Sequence, residues 1–183
     1  MNIKTSLQKT RVTFFLTTII ISSVAVAQSS SKDKKIVADA KDAKAAFIRA
    51  DGQMKNLFNN AHAYVIFPNV GKGGIGIGGA AGNGAVFQNG TLIGMAKMAQ
   101  VTIGFQWGGQ AYREVIFFET KADLDRFKEN KLELSAQASA VAATAGASAN
   151  AKYANGVMIF TQTKGGLMYE ASVGGQKFTF RNL

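Results

Sequence analysis

The chain has no cysteine among its 183 residues. Disulfides, zinc–thiolate centres and thiol nucleophiles are therefore excluded, and a folded domain must be held by its apolar core. Histidine is nearly as scarce: His62 is the only one. A metal centre clusters its donors, and the region around His62 has none, because no Asp or Glu occurs between Gly52 and Arg113. His62 therefore reads as a strand-edge residue. Asp123 and Asp125 stand two apart in a helical pattern, do not share a face, and read as solvated charges. Glu114 and Glu119 flank a strand with nothing to mark either as a base. The serines lie in Ala/Ser tracts without a paired histidine. No nucleophile–base arrangement is visible, so catalytic and metal-binding residues are expected to be none, and a cofactor is not expected.

After the first 27 residues there is no second apolar run long enough to span a bilayer, which takes ~20 residues. Those first residues carry Lys4, Lys9 and Arg11, then the apolar stretch 12–26, then Ala25-Val26-Ala27. This three-part pattern is that of a secretory signal peptide cleaved near Ala27. The expected organisation is a leader over 1–27, a flexible polar segment over 28–35 and one domain over 36–183, placed in the periplasm or secreted. Of the 21 basic residues three leave with the leader, so 18 Lys and Arg face 11 Asp and Glu, a net charge of +7. That excess favours anionic partners. For an exported protein, anionic lipid surfaces or acidic polymers are the expected ones, and nucleic acid is not.

Glycine is what the chain does have. Eight of its twenty glycines fall in residues 67–87, FPNVGKGGIGIGGAAGNGAVF. Gly74 to Gly79 spells G-x-G-x-x-G, and so does Gly71 to Gly76. A dinucleotide loop needs a helix to follow and an acid about 20 residues on; Ala80-Ala81-Gly82-Asn83-Gly84 is no helix and the acid is missing. A P-loop fails as well, since Lys72 is followed by Gly73 and not by Ser or Thr. The run reads instead as strand, with glycine letting a sheet bend sharply or another group approach its backbone.

Elsewhere the periodicity changes along the chain. Ile36, Ala40, Ala43 and Phe47 line one face of a helix, which has two uses open to it, packing on a sheet or lying on a membrane. Met54, Leu57 and Phe58 suggest a second, short helix. Residues 63–67 form a buried strand closed by Pro68. Asn83-Gly84, Asn89-Gly90 and Asn155-Gly156 mark tight turns. Strands are expected over 91–97, 100–107, 111–118, 157–163, 166–173 and 176–181. Thr120 and Asp123 resemble a capping box opening a helix over 121–130. The tract 132–151 fits a strand of small side chains, and its composition also allows a helix. The expected fold is α+β: N-terminal helices on a large, strongly curved, mainly antiparallel, glycine-rich sheet, open or closed into a barrel-like form.

Lys72, Lys97, Arg113, Lys164 and Lys177 fall near turns or on strands. Phe67, Ile75, Ile77, Phe105, Trp107, Tyr169 and Phe178 could supply an apolar surface beside them, and core packing is the alternative use. Basic charge beside exposed aromatics suits a membrane surface. The candidate lipid-binding set is Lys72, Lys97, Arg113, Lys164, Lys177, Phe105 and Trp107.

The run Tyr64 to Gly74 (YVIFPNVGKGG), with GNGAV at 82–86, GFQWGGQ at 104–110 and KGGL at 164–167, resembles the SYLF domain family over residues 45–180. One departure stands at Gly94-Met95-Ala96, where members often carry a Trp-Ser pair. The resemblance implies a compact, sheet-rich phospholipid-binding module, with phosphoinositide and actin roles in eukaryotic members and no established catalytic residues. Exported bacterial members have this layout of a leader and one bare domain. The function expected is non-enzymatic phospholipid binding in the cell envelope; the alternative is an envelope scaffold with a protein or polysaccharide partner.

Overall fold

The computed structural model describes residues 30–75, 77–103, 110–134, 139–164 and 171–183. Packing divides the chain into two units, Met1–Lys35 and Ile36–Leu183. In the first, residues 30–35 are helical, where the sequence suggests a flexible polar segment. Everything below concerns the second.

It opens with α1, residues 36–50. The expected stripe is the buried one: Ala40, Ala43 and Phe47 are sealed against Tyr64, Ile66 and Phe117 of the sheet. The helix therefore docks on the sheet. A turn at Asp51 leads to α2, Met54–Asn60, which buries Met54 and Phe58. Asp51 is itself buried. Its carboxylate accepts from Gln53 N (3.0 Å) and, far along the chain, from Ser148 N (2.8 Å) and Ser148 Oγ (2.6 Å). The Ser148 hydroxyl holds the Asp51 carboxyl below its usual range, against the opposing pull of burial.

The strands are β1 (Ala63–Ile75), β2 (Ile77–Gln88), β3 (Thr91–Ile103), β4 (Gln110–Phe118), β5 (Ser139–Ala142), β6 (Val157–Thr163), β7 (Ala171–Ser172) and β8 (Gln176–Asn182). They form one sheet in the order β7-β5-β6-β4-β1-β2-β3-β8. Every pairing is antiparallel except β5 with β6, so the sheet is mixed. The strand order also corrects the expectation of a strongly curved, barrel-like sheet. It is linear: among the described residues β7 and β8 end the order and do not pair with each other, so the sheet is open.

Local chemistry explains the joints. The β2–β3 hairpin turns on Asn89 (φ 49°) and Gly90 (φ 77°), the positive-φ pair that matches the twist of antiparallel strands. The glycine run is the distal part of the β1–β2 hairpin, with Gly73 opposite Gly79 and Gly74 opposite Gly78. No helix follows it, which ends the phosphate-loop reading. Gly79, Gly82 and Gly84 serve close approach rather than closure of a barrel, whereas a Cβ on Gly71 or Gly73 would meet nothing within 4 Å. A Cβ on Gly84 would stand 2.7 Å from both Ile66 O and the Phe67 ring.

After β4 comes α3, Lys121–Lys128, opened by the Thr120–Asp123 capping box that the sequence suggested. Asp123 is buried there, accepting from Thr120 and from Arg126 (2.8 Å), and is not the solvated charge expected. Of the tract 132–151, residues 139–142 are β5 and Ala147–Asn150 is a single 3-10 turn; residues 135–138 lie outside the described set. The free edge of β8 is partly covered. Asn130 Oδ1 accepts from Phe180 N (2.7 Å), and Glu133 bridges to Lys177. Covering an exposed edge in this way discourages pairing with other chains.

Each sheet face carries its own core. On the α1 face, Tyr64, Ile66, Ala85, Phe87, Val115 and Phe117 meet α1 and α2. On the α3 face, Val65, Phe67, Val70, Ile116 and Phe118 meet Leu124 and Phe127. Phe127 packs its ring 5.0 Å from Phe118 and 5.5 Å from Phe178.

Candidate functional site

The α1 face is covered over only part of its length. Beyond Ile66, Ala85 and Met95 the α1-side residues of these strands become exposed or half-buried. A register shift between Ile66 and Asn69 resets the alternation of β1. Val70 then joins the α3-face core, so Asn69 and Gly71 point to the α1 side. Cross-strand neighbours share a face, and the registers place Asn69 opposite Asn83, Asn83 opposite Lys97, and Lys97 opposite Thr179. The next row is Ala111, Gly71, Ala81, Ala99 and Lys177, with every member exposed. Polar ends thus stand around a floor of small residues.

A cleft of about 420 Å³ lies here, lined by Asn69, Ala81, Asn83, Lys97, Lys177 and Thr179 among others. Lys164 Nζ donates to Asn69 Oδ1, and Asn69 Nδ2 donates to Asp39 Oδ2 on α1 (3.3 Å), which ties the rim to the helix. Arg113 points to the same side and donates to Gln162 Oε1 (3.1 Å). Lys177 forms an exposed pair with Glu133 (3.2 Å). Exposed pairs of this kind hold little energy, so the ammonium group exchanges readily toward an anion in the cleft.

Four of the five basic residues singled out in the sequence therefore share one face: Lys97, Arg113, Lys164 and Lys177. Lys72 does not. It follows Val70 in the alternation and lies on the α3 side, half-buried, where burial lowers the pKa of its amine. Phe105 and Trp107 lie outside the described residues, as does Tyr169. Phe67 and Phe178 are core, at 0% and 4% exposed, and supply no apolar surface. Asn83 was expected in a tight turn with Gly84 and lies inside β2 instead; Asn69 and Thr179 were not singled out, because only the register brings the three beside Lys97.

Other single residues resolve into structure. His62 sits beside Gln88, with Nε2 to Nε2 at 3.0 Å. Glu114 does not flank a strand; it is inside β4, fully buried on the α3 face. Among the described residues no group of three or more His, Cys, Asp or Glu could hold a metal ion.

Residues 99–182 match the family model Ysc84, described as Las17-binding protein actin regulator. That match, within the SYLF family the sequence resembles, takes in the end of β3, β4, α3 and β5 through β8. It includes Arg113, Lys164 and Lys177 and leaves out α1, α2, β1 and β2. The chain is also similar to Beta cell expansion factor A of Aeromonas veronii, 35% identical over 71 residues, or 39% of this chain. It spans 27% of that relative's length. The matched family is described by what it binds, and the match covers less than half of this chain.

Proposed function

We propose that the chain is a phospholipid-binding module of the cell envelope, exported by its apolar leader, that contacts anionic membrane surfaces through the uncovered part of its α1 face. The observation carrying this reading is the gathering of Lys97, Arg113, Lys164 and Lys177 on that face, where Lys97 and Lys177 line a cleft floored by small side chains. A phosphate needs cationic donors and room to come close. Lysines supply strongly hydrated point charges, and a floor of alanine and glycine leaves that room. Each lysine near an anionic surface contributes about 1 kcal/mol of attraction, within roughly a Debye length.

Co-sedimentation of the chain with phosphatidylglycerol and with phosphatidylcholine vesicles, at low and high salt, tests the reading. Binding to the anionic vesicles that falls with salt is the expected result. Equal binding to both, insensitive to salt, would contradict an electrostatic face. The description of the matched family as a Las17-binding protein favours a second reading, a protein partner on the same face. Capture of a defined envelope protein without lipid, lost on reversing Lys97 and Lys177, would favour it.

A further inference from the structure

A carboxyl lies sealed in the middle of the molecule. Glu114 is 0% exposed on the α3 face of β4, in register with Phe67 on one side and the buried Thr161 on the other. Among the described residues its one side-chain hydrogen-bond partner is Gln176 of β8, also 0% exposed, whose Nε2 donates to Glu114 Oε2 at 3.0 Å. The Gln176 side chain also hydrogen-bonds the Tyr112 hydroxyl. Two atoms are left over, and they belong to this same pair: Glu114 Oε1 and Gln176 Oε1 are buried with no hydrogen-bond partner. Two orphaned acceptors on one hydrogen-bonded pair are costly, and a buried unpaired carboxylate is more so.

One proton removes both difficulties. A carboxylic acid presents one donor and one acceptor, and so does an amide edge. We propose that Glu114 and Gln176 form a proton-operated latch. With its proton on Oε1, Glu114 donates to Gln176 Oε1 while Gln176 Nε2 donates to Oε2, and this closed pair fastens β8 to β4; loss of the proton opens it. Among the described residues no ion pair reaches the Glu114 carboxyl to stabilise the ionised form. On β4 the facing titratable group is Tyr112, pushed up by burial first and then by the Glu114 charge. On β1 it is Lys72, which is lowered by burial alone. On α3, Asp123 and Arg126 are spent on each other, and Lys128 lies over the Phe180 ring. Burial accordingly raises the Glu114 pKa to about 7, with Gln176 pulling the other way. The latch matters outside the core because β8 alternates. Gln176 and Phe178 point in, while Lys177 and Thr179 line the cleft. The inference does not depend on what the cleft binds.

A group whose folded pKa is raised stabilises the fold fully below its unfolded value and loses that contribution as pH rises through the folded one. The test is urea unfolding of the full chain at pH 5 and pH 8, for the wild type, Glu114→Gln and the exposed-acid control Glu133→Gln, with an NMR titration of the Glu114 carboxyl carbon. Gln at 114 brings its own N–H, so its pairing with Gln176 needs no proton. The unfolding constant of the wild type and of Glu133→Gln should rise roughly 100-fold more than that of Glu114→Gln between the two pH values. The Glu114 carboxyl carbon should titrate near neutrality. An unchanged pH profile in Glu114→Gln, or titration in the ordinary carboxylate range, would overturn the latch. Should Glu114→Gln fail to fold, the wild-type carboxyl titration decides alone.

Discussion

On the α3 face of the sheet a carboxyl is buried among aromatic rings; on the α1 face lysines stand in the open over alanine and glycine. The same strands build both. In β8, Gln176 and Phe178 belong to the sealed side, and Lys177 and Thr179 to the open one. In β3, Met98 and Gln100 are buried while Lys97 and Ala99 are exposed. Strand alternation produces this separation. Polar groups on the sealed face must satisfy one another, whereas those on the open face also reach solvent. Stability and binding are thereby assigned to opposite sides of one layer, and substitutions can separate them.

The largest effects should come from the rings. Phe117 on the α1 face and Phe127 on the α3 face are each fully buried. Truncation of either to Ala should cost ~3–5 kcal/mol in urea unfolding. A loss confined to one face would break the picture of two cores sharing a sheet. Next come two glycines of the same run. Gly84→Ala places a methyl against Ile66 O and the Phe67 ring and should cost ~1–3 kcal/mol. Gly73→Ala meets nothing within 4 Å and should stay within ~0.5 kcal/mol. Equal costs would mean that the run is needed for backbone freedom and not for close approach. Asp51→Ala leaves Ser148 N and Oγ without their buried acceptor and should cost ~1–3 kcal/mol at neutral pH. The carboxyl is held below its ordinary value, so its contribution is present above the unfolded pKa and fades as acid protonates it. The gap between wild type and Asp51→Ala should therefore narrow in acid.

Local chemistry was legible in the sequence. The Asn89-Gly90 turn, the Thr120 cap, the stripe through Ala40, Ala43 and Phe47, and β6 over 157–163 all depend on neighbours within a few residues. What depended on pairing was not. The register shift after Ile66 changes which side Lys72 faces, and no local pattern announces it. Glu114 was readable in principle, since it shares its parity with Tyr112, Ile116 and Phe118. The charged neighbour Arg113 disguised it as part of a polar strand end. The glycine run suggested curvature, because sequence cannot distinguish glycine that bends a strand from glycine that makes room for a ring.

The most direct test of the open face is a comparison of two charge-matched variants on phosphatidylglycerol vesicles at low salt. Lys97→Glu with Lys177→Glu reverses the cleft; Lys55→Glu with Lys152→Glu changes the net charge equally at exposed positions that do not line it. Both keep the apolar stretch 12–26, so any membrane affinity of that stretch cancels between them. The account predicts that the cleft pair loses about tenfold or more of its binding, at about 1 kcal/mol for each lysine removed, while the control pair loses much less. Equal losses would contradict it, because binding would then follow overall charge and not the face that gathers these lysines.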